Sequence, residues 1–271
     1  MRKIFVRLDS NRTPRLAQLL QVGGRGGGVA LKLYLALLWR CSSEPYQTSK
    51  PHRAWATLLG LEEPEGKGAR RVAAALKTLE GLGLVSVRRV PAEPNVVQLL
   101  DESGDGSEYA PPSTEYARAP KGEVGDARRA RNVYFKVPSK LWLEGHIQSL
   151  DAPGLAMLLI LLAEQADIRP VWFSTDVFPQ RYCISQKSRA AGTLRLVERN
   201  LLRVERQPLS EFPGQTSVFD RKRSRKLYNL AGAAAEGPAP EAAAETGPKP
   251  ARQARPARLK TLRRPTRPPS G

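Results

Sequence analysis

The sequence predicts a mainly α-helical protein with small β-hairpins, an α+β class. Apolar stretches with helical periodicity, such as LKLYLALLW and LAMLLILLA, are followed by short runs with strand-like alternation, such as LLRVERQP. The order of these segments in the first half of the chain returns in the second half, which indicates an internal duplication. We therefore expect two similar helical domains, each with a small sheet. Chance similarity between two Leu-rich helices is the alternative explanation of the repeat.

The charge balance narrows the class of partner. The chain has 44 Lys and Arg against 26 Asp and Glu, a formal net charge of +18. Solubility alone needs a charge of roughly 2 to 8 in a small domain, so the excess favours nucleic acid first and an acidic membrane surface second. No run of about 18 apolar residues occurs, so no membrane span is expected. Two widely separated cysteines fit a reducing cytoplasm, and we expect a cytoplasmic, nucleoid-associated protein.

Composition divides the chain into four segments. Residues 101–131 begin acidic and rich in Pro, Gly and Ser, which predicts a flexible acidic linker. Residues 231–271 are rich in Ala, Pro and Arg and cannot build a core, so a disordered basic tail is expected there, adding non-specific affinity for phosphates. The two remaining segments, 1–100 and 132–230, are the predicted domains.

The elements of the second predicted domain can be placed in order. Asp151 is an expected N-cap of a long buried helix, VWF is a short strand, and a second helix runs through Arg181. Ser185 is the expected cap of a third helix, with an inward face formed by Ala191, Leu194 and Val197. Two strands joined by a basic loop follow. This order is that of a winged helix, a helix-turn-helix with a β-hairpin wing.

The first predicted domain repeats this plan. The pairing places Leu61 against Ile184 ahead of the third helix. Within the third helix, the paired positions are Ala73, Leu76 and Glu80 against Ala191, Leu194 and Glu198.

Several segments of the second half carry a family resemblance. They are FKVPSKLW, LAMLLILLAEQ, VWFS, RYCISQKSRAAGTLRLVE and FDRKRSRKLYNL, which together cover about Phe135 to Leu230. The chain resembles tandem winged-helix proteins of actinobacterial plasmids, phages and integrated elements, and is similar to plasmid replication initiators built from two winged helices. The resemblance implies double-stranded DNA binding in replication initiation or in the control of a mobile element. The first half departs from the pattern at GGRGGG and EEPEGKG.

The third helix and the wing supply the candidate DNA contacts. A helix of this kind can enter the major groove with its N-terminal residues on base edges, and a helix N-terminus favours phosphate. Basic wing residues suit the backbone or the minor groove. The expected contacts are Ser185, Gln186, Lys187, Arg189, Arg195, Arg221, Lys222, Arg223, Arg225, Lys226, Arg70, Arg71 and Lys77. A solvated charged face is the alternative interpretation.

The two copies are expected to divide the work. Three acidic residues, Glu62, Glu63 and Glu65, precede the third helix of the first copy, where phosphates would approach. The second copy is therefore expected to bind DNA, while the first assists or mediates self-association. A homo-oligomer is accordingly a possible state.

Other chemistries have little support in the sequence. No nucleophile, base and orienting acid form a recognisable constellation, so no enzyme and no cofactor are expected. His52, His146 and the two cysteines lack metal-site spacing, so no metal is expected. The four tryptophans, Trp39, Trp55, Trp142 and Trp172, lie among apolar neighbours and are expected in the core.

Three alternatives to a DNA-binding protein of a mobile element remain open. The protein could be a transcription regulator, it could be a winged-helix scaffold that binds protein, or its nucleic acid could be RNA.

Overall fold

Helices dominate the structure, a computed structural model, and two small antiparallel sheets complete it. The structure describes residues 1–8, 12–22, 26–89, 91, 93–165, 170–208 and 224–235. Within these ranges the expected α+β class with small antiparallel sheets is confirmed. No helix in the described ranges has the length and apolar character that a bilayer-spanning segment needs.

The first half is built around one buried helix and a three-stranded sheet. Its elements are α1 (Arg15–Gln21), α2 (Gly26–Arg40), β1 (Gln47–Ser49), α3 (His52–Leu58), α4 (Lys67–Gly81), β2 (Val85–Arg88) and β3 (Val96–Leu99). The described side chains of α2 from Val29 to Leu37 are buried except Lys32, because this helix is apolar on nearly every face. The strand order is β1-β3-β2, with β3 antiparallel to both neighbours.

A short helical segment follows the first half. Helices α5 (Pro112–Arg118) and α6 (Glu123–Arg131) lie within residues 101–131, where the sequence led us to expect a flexible acidic linker. The structure differs from that expectation because this segment is tied to the start of the chain by a buried arginine.

Arg2 makes that connection. Its side chain is 1% exposed, and its guanidinium donates to Glu102 Oε2 at 2.6 Å, to Asn132 Oδ1 at 2.7 Å and to the Ala110 carbonyl at 2.8 Å. A buried guanidinium needs such partners, since an unpaired buried charge is strongly unfavourable. The acidic residues at the start of the segment therefore act as interior counter-charges, and the polar composition does not indicate a solvated chain.

The second half repeats the layout of the first. Its elements are α7 (Lys140–Leu143), α8 (His146–Ser149), α9 (Ala152–Glu164), β4 (Val171–Trp172), α10 (Val177–Tyr182), α11 (Gln186–Glu198), β5 (Leu202–Pro208) and β6 (Ser224–Leu230). As expected, the Asp151 side chain caps α9 by accepting from the Gly154 backbone N–H at 2.9 Å. The strand order β4-β6-β5 matches that of the first sheet, so each half contains one small antiparallel sheet, in agreement with the expected α+β class.

The end of the second sheet leads into a further packed turn. A short 3-10 helix at Gly232–Ala234 buries Ala233 and Ala234, and the Ala231 N–H donates to the Leu201 carbonyl at 3.0 Å. Packing thus continues past residue 231, where the disordered tail was expected to begin. Residues 236–271 of that expected tail lie outside the described residues.

Both halves share one hydrophobic core. Helix α2 packs against α9, and a Cβ added to Gly28 would lie 3.4 Å from the Ala152 Cβ. Across the same boundary, Arg7 makes a bidentate contact with the Glu164 carboxylate at 2.7 and 2.8 Å. The described residues belong to one compact unit, whereas the sequence predicts separate domains at 1–100 and 132–230.

The third helices of the two halves, α4 and α11, end in the same turn. Gly83 and Asn200 both adopt the left-handed conformation, with φ of 67° and 57°. The next residue in each case, Leu84 or Leu201, donates its N–H back to the carbonyl of Leu79 or Leu196, the hydrogen bond of a Schellman cap. The shared turn aligns the helices residue by residue. It pairs Arg70 with Lys187, Val72 with Arg189, Ala75 with Gly192, Lys77 with Leu194 and Leu79 with Leu196.

This alignment differs by one residue from the pairing expected from sequence. The inward face predicted for α11 is wrong, because Leu194 and Val197 are 56% and 41% exposed and Ala191 is exposed as well. The buried residues of α11 are Gly192 and Leu196. A shift of one position turns a helix by about 100°, which moves the expected inward residues onto the surface.

Candidate nucleic-acid interface

The start of α11 is organised by Ser185, as expected. The Ser185 Oγ accepts from the Ser188 backbone N–H at 3.1 Å, which makes it the N-cap. Next to it, the Lys187 side chain is exposed and has no hydrogen bond or ion pair with any described residue. Of the side chains expected on base edges, Lys187 is therefore the one that is available to an external anion.

Gln186 and Arg189, in contrast, are engaged within the protein. Gln186 donates its amide to the Thr175 carbonyl. The Arg189 guanidinium donates to the Tyr228 hydroxyl at 3.0 Å and lies 4.7 Å from the ring centre of Phe178 and 5.3 Å from that of Phe173. Arg189 thus acts as a packed cation within an aromatic cluster, and its position does not suit the base contact expected from sequence.

Arg195 is neutralised by two carboxylates. Its guanidinium contacts Asp151 Oδ2 at 3.2 Å and Glu198 Oε2 at 3.0 Å. Hydrogen bonds to Glu198 and then to Asp151 raise the pKa of Arg195 above its ordinary value. Of the three cations expected on α11, Lys187 alone is free of partners in the described part of the chain.

Helix α4 presents a more basic face. Its exposed residues form one stripe along the helix, consisting of Lys67, Arg70, Ala74, Lys77 and Gly81. Arg70 and Lys77 have no hydrogen bond or ion pair with a described residue. Arg71, the third residue expected to contact DNA here, is only partly exposed.

The acidic residues that precede α4 are largely paired. Glu63 accepts from Lys67 Nζ at 2.7 Å, and Glu65 lies 3.7 Å from the Arg53 guanidinium. These exposed pairs contribute little to stability, but each one cancels a negative charge beside the helix. The repulsion that motivated the expected division of labour is therefore reduced.

A third basic region lies at the boundary of the halves. Lys32 Nζ donates to the Gln148 carbonyl at 2.6 Å, and Arg199 donates to Ser149 Oγ at 2.6 Å. Burial lowers the pKa of Lys32, Arg71 and Arg199 lower it further, and Asp151 opposes them. Arg71 of α4 and Arg199 at the end of α11 thus act on the same lysine.

The wing is described only in part. Arg221, Lys222 and Arg223 lie outside the described residues. Arg225 places its guanidinium 4.1 Å from the ring centre of Trp172, and Lys226 is exposed.

Two of the four tryptophans occupy positions that sequence reasoning missed. Trp55 and Trp142 are buried as expected, whereas Trp39 and Trp172 are 48% and 46% exposed. The expectation of a buried Trp172 is wrong because β4 is an edge strand, paired with β6 alone. The alternation of side chains along β6 could have indicated the contact of Trp172 with Arg225. Trp172 pairs with Leu227, so Arg225, two residues before Leu227, lies diagonally across from Trp172.

The described residues contain no group of three His, Cys, Asp or Glu arranged to hold a metal ion. Cys41 and Cys183 are free thiols, and burial raises the pKa of Cys41 to about 11. Comparison of the chain with family profiles, curated proteins and solved structures gave no significant match.

Proposed function

We propose that the protein binds double-stranded DNA through two winged-helix units and has no catalytic role. The element order supports this assignment. Each half has a buried helix, a short strand, two helices and a strand pair, and the short strand completes the sheet. In this arrangement α4 and α11 take the place of recognition helices.

The exposed face of α4 is the observation that carries the proposal. Arg70 and Lys77 are seven residues apart, which is about two turns and about 10 Å along the helix axis. This spacing fits within a major groove about 12 Å wide. Ala74 lies between the two cations and has only a methyl side chain, so the helix backbone can approach the floor of the groove.

The second helix contributes through fewer charges. Lys187 of α11 is equivalent to Arg70, but the position of Lys77 is taken by Leu194. We therefore propose that α4 supplies the larger share of phosphate and base contacts, which reverses the division of labour expected from sequence. The net charge of +18 supports binding of a polyanion to the whole chain.

The experiment compares duplex binding by two variants of the full chain. Fluorescence anisotropy with a labelled duplex, at several salt concentrations and with unlabelled competitor, gives affinity and its salt dependence. Arg70→Ala with Lys77→Ala should weaken binding at least tenfold and reduce the slope of log K against log salt by about 2.

A matched control removes the same charge elsewhere. Arg118→Ala with Lys121→Ala changes two exposed cations between the halves, and its affinity should stay within about twofold of the parent protein. Equal losses in the two double variants would show that binding follows net charge alone and would reject α4 as the interface.

The biological role follows the resemblance noted in the sequence. We propose replication initiation or control of a mobile element, with transcription regulation as the alternative within DNA binding. Mapping of bound sites separates them. An initiator is expected on repeated sites near an origin, while a dimeric regulator is expected on a palindrome.

A further inference from the structure

The exposed face of α11 is largely apolar, although this helix takes the place of a recognition helix. Its first turn presents Lys187, and the next two turns present Ala191 and then Leu194 along the same line. Leu194 is 56% exposed, and Val197 in the following turn is 41% exposed. A contiguous group of exposed apolar side chains indicates a surface that another molecule covers.

The equivalent face of α4 has the same outline and a different chemistry. The shared C-terminal turn makes Ala191 equivalent to Ala74 and Leu194 equivalent to Lys77. A small residue therefore lies in the middle of both faces, where the helix backbone can approach a neighbouring surface. A duplex that lies against α11 as proposed for α4 meets a leucine at the place of the lysine.

The polar side chains in the first part of α11 are occupied within the protein. All but one of those between residues 186 and 195 have a hydrogen bond or an ion pair inside the chain, namely Gln186, Ser188, Arg189, Thr193 and Arg195. The exception among these described residues is Lys187. The amide and guanidinium groups that could bond to base edges are therefore not available here, which leaves the apolar side chains to make such contacts.

One base edge in the major groove carries an apolar group. Thymine presents its C5-methyl group there, whereas guanine and cytosine present hydrogen-bonding groups. A leucine against a G·C edge would desolvate those groups without replacing their bonds to water, which is unfavourable. Against thymine, the leucine and the methyl group bury apolar surface together, which is favourable. Leu194 therefore suits A·T pairs better than G·C pairs.

The charge of this face favours DNA over an apolar protein partner. Lys187 lies on the same line as Leu194, and it is exposed without a polar partner among the described residues. An apolar protein surface would cover this charge without a counter-charge, whereas a phosphate beside the major groove supplies one. Glu198, at the far end of the face, is paired with Arg195 at 3.0 Å, so its repulsion of the DNA backbone is reduced.

We propose that α11 recognises A·T pairs by packing Ala191 and Leu194 against thymine methyl groups, with Lys187 on an adjacent phosphate. This inference rests on the duplex binding proposed above and specifies the sequence in one part of the target. The free cations of α4, Arg70 and Lys77, suit the acceptors of guanine. The target is therefore a composite site, with a G-containing segment under α4 and a T-containing segment under α11.

Replacement of thymine by deoxyuridine tests the proposal, because it removes the methyl group and keeps the base pair. The full chain first selects duplexes from a random pool, and anisotropy then compares a selected duplex with the same duplex in which every thymine is replaced. The parent protein should bind the thymine duplex about fourfold more tightly, since burial of one methyl group contributes roughly that factor. Equal affinities, or selected duplexes without an A·T-rich segment, would overturn the proposal.

Leu194→Ala identifies the side chain that contacts the methyl groups. The ratio of the two affinities should fall to less than about half of its value in the parent protein. Leu143→Ala is the matched control, because Leu143 is 77% exposed and lies on α7, and its ratio should equal that of the parent. A parental ratio in Leu194→Ala, or equal reductions in both variants, would overturn the proposal.

Leu194→Lys is a second variant in which the side chain stays long. It introduces the lysine of the equivalent position in α4 and removes the apolar contact. The ratio of affinities for the thymine and uracil duplexes should therefore fall as in Leu194→Ala, whatever the change in overall affinity. A parental ratio in this variant would contradict the assignment of the methyl contact to Leu194.

The outcome is separable from that of the duplex proposal. Arg70→Ala with Lys77→Ala should weaken binding of the thymine and uracil duplexes alike and leave their ratio unchanged. Duplex binding by the parent protein with no difference between the two duplexes would reject the methyl contact alone and would favour a protein partner on this face of α11. Failure to bind any duplex would reject both proposals.

Discussion

Helices α4 and α11 occupy the same place in two copies of one plan, yet they have different surfaces. The exposed stripe of α4 is narrow and carries two unpaired cations. The exposed side of α11 is wider, and it carries apolar residues, one free lysine and an arginine that two carboxylates neutralise. The shared C-terminal turn shows that the difference lies in the side chains and not in the backbone plan. A repeated unit can therefore keep its packing while its two copies acquire different binding chemistry.

The largest effect on stability is expected from a substitution where α11 packs against α9. A Cβ on Gly192 would lie 2.3 Å from the Pro153 carbonyl oxygen and 2.8 Å from the Met157 Cβ. We expect Gly192→Ala to lower the free energy of unfolding by about 3 kcal/mol, because backbone atoms of α9 would have to move. Urea denaturation measures the change.

Gly81 of α4 is the control for that substitution. A Cβ added there meets nothing within 4 Å, so Gly81→Ala should be neutral or stabilising by up to about 1 kcal/mol. If Gly192→Ala were equally harmless, the close approach of α9 to Gly192 would not limit the side chain at that position.

The second largest effect on stability is expected at Arg189, the cation within the aromatic cluster. Arg189→Met keeps an apolar stem but removes the hydrogen bond to Tyr228 and the contacts with the rings. We expect a loss of about 2 kcal/mol in the free energy of unfolding. The same change at exposed Arg70 should cost less than about 0.5 kcal/mol. A loss of DNA affinity without a loss of stability in Arg189→Met would mean that this arginine contacts DNA after all.

A gain of function should follow from making α11 more like α4. Leu194 is equivalent to Lys77, and it is exposed, so Leu194→Lys is compatible with the fold. Duplex affinity should rise about threefold and the salt slope should steepen by about 1. Val124→Lys is the control, because Val124 is 79% exposed on α6. An equal gain from both substitutions would point to net charge alone.

The smallest effect is expected at Glu198. Glu198→Ala removes one of the two carboxylates that hold Arg195, and duplex affinity should rise about twofold as the arginine becomes more available. Asp126→Ala removes the acidic partner of a similar exposed pair with Arg129 on α6, and anisotropy should detect no change there. A decrease in affinity in Glu198→Ala would exclude this side of α11 from the interface.

The long buried helices and the N-caps could be predicted because their signals are local. Helices α2 and α9 are apolar over long stretches, and the N-cap residues Asp151 and Ser185 mark the starts of α9 and α11. Such features depend on neighbouring residues only, so the sequence contains them directly.

The register of α11 could not be predicted from the same kind of signal. Its inward positions include Gly192 and Arg189, which are not apolar, while Leu194 and Val197 are apolar and exposed. Hydrophobic periodicity therefore indicated the wrong face. The glycine is inward because α9 passes close by. The arginine is inward because the aromatic rings of Phe173, Phe178 and Tyr228 surround it.

Part of the candidate site was predicted and part was not. Ser185 and Lys187 lie where expected, since a capped helix start leaves its first turn exposed. The partners of Arg195, and those of Arg2, are distant in sequence, and long-range pairs of this kind have no local signature. The same holds for the stacking of Arg225 on Trp172, which depends on how two strands pair.

The common core of the two halves has a consequence for the DNA that the protein would read. Because α2 and α9 pack against each other within one unit, the distance between α4 and α11 is set by the interior and not by a flexible tether. A target contacted by both helices should tolerate little change in its spacer. Inserting five base pairs, about half a helical turn, would rotate one contact region to the far side of the duplex.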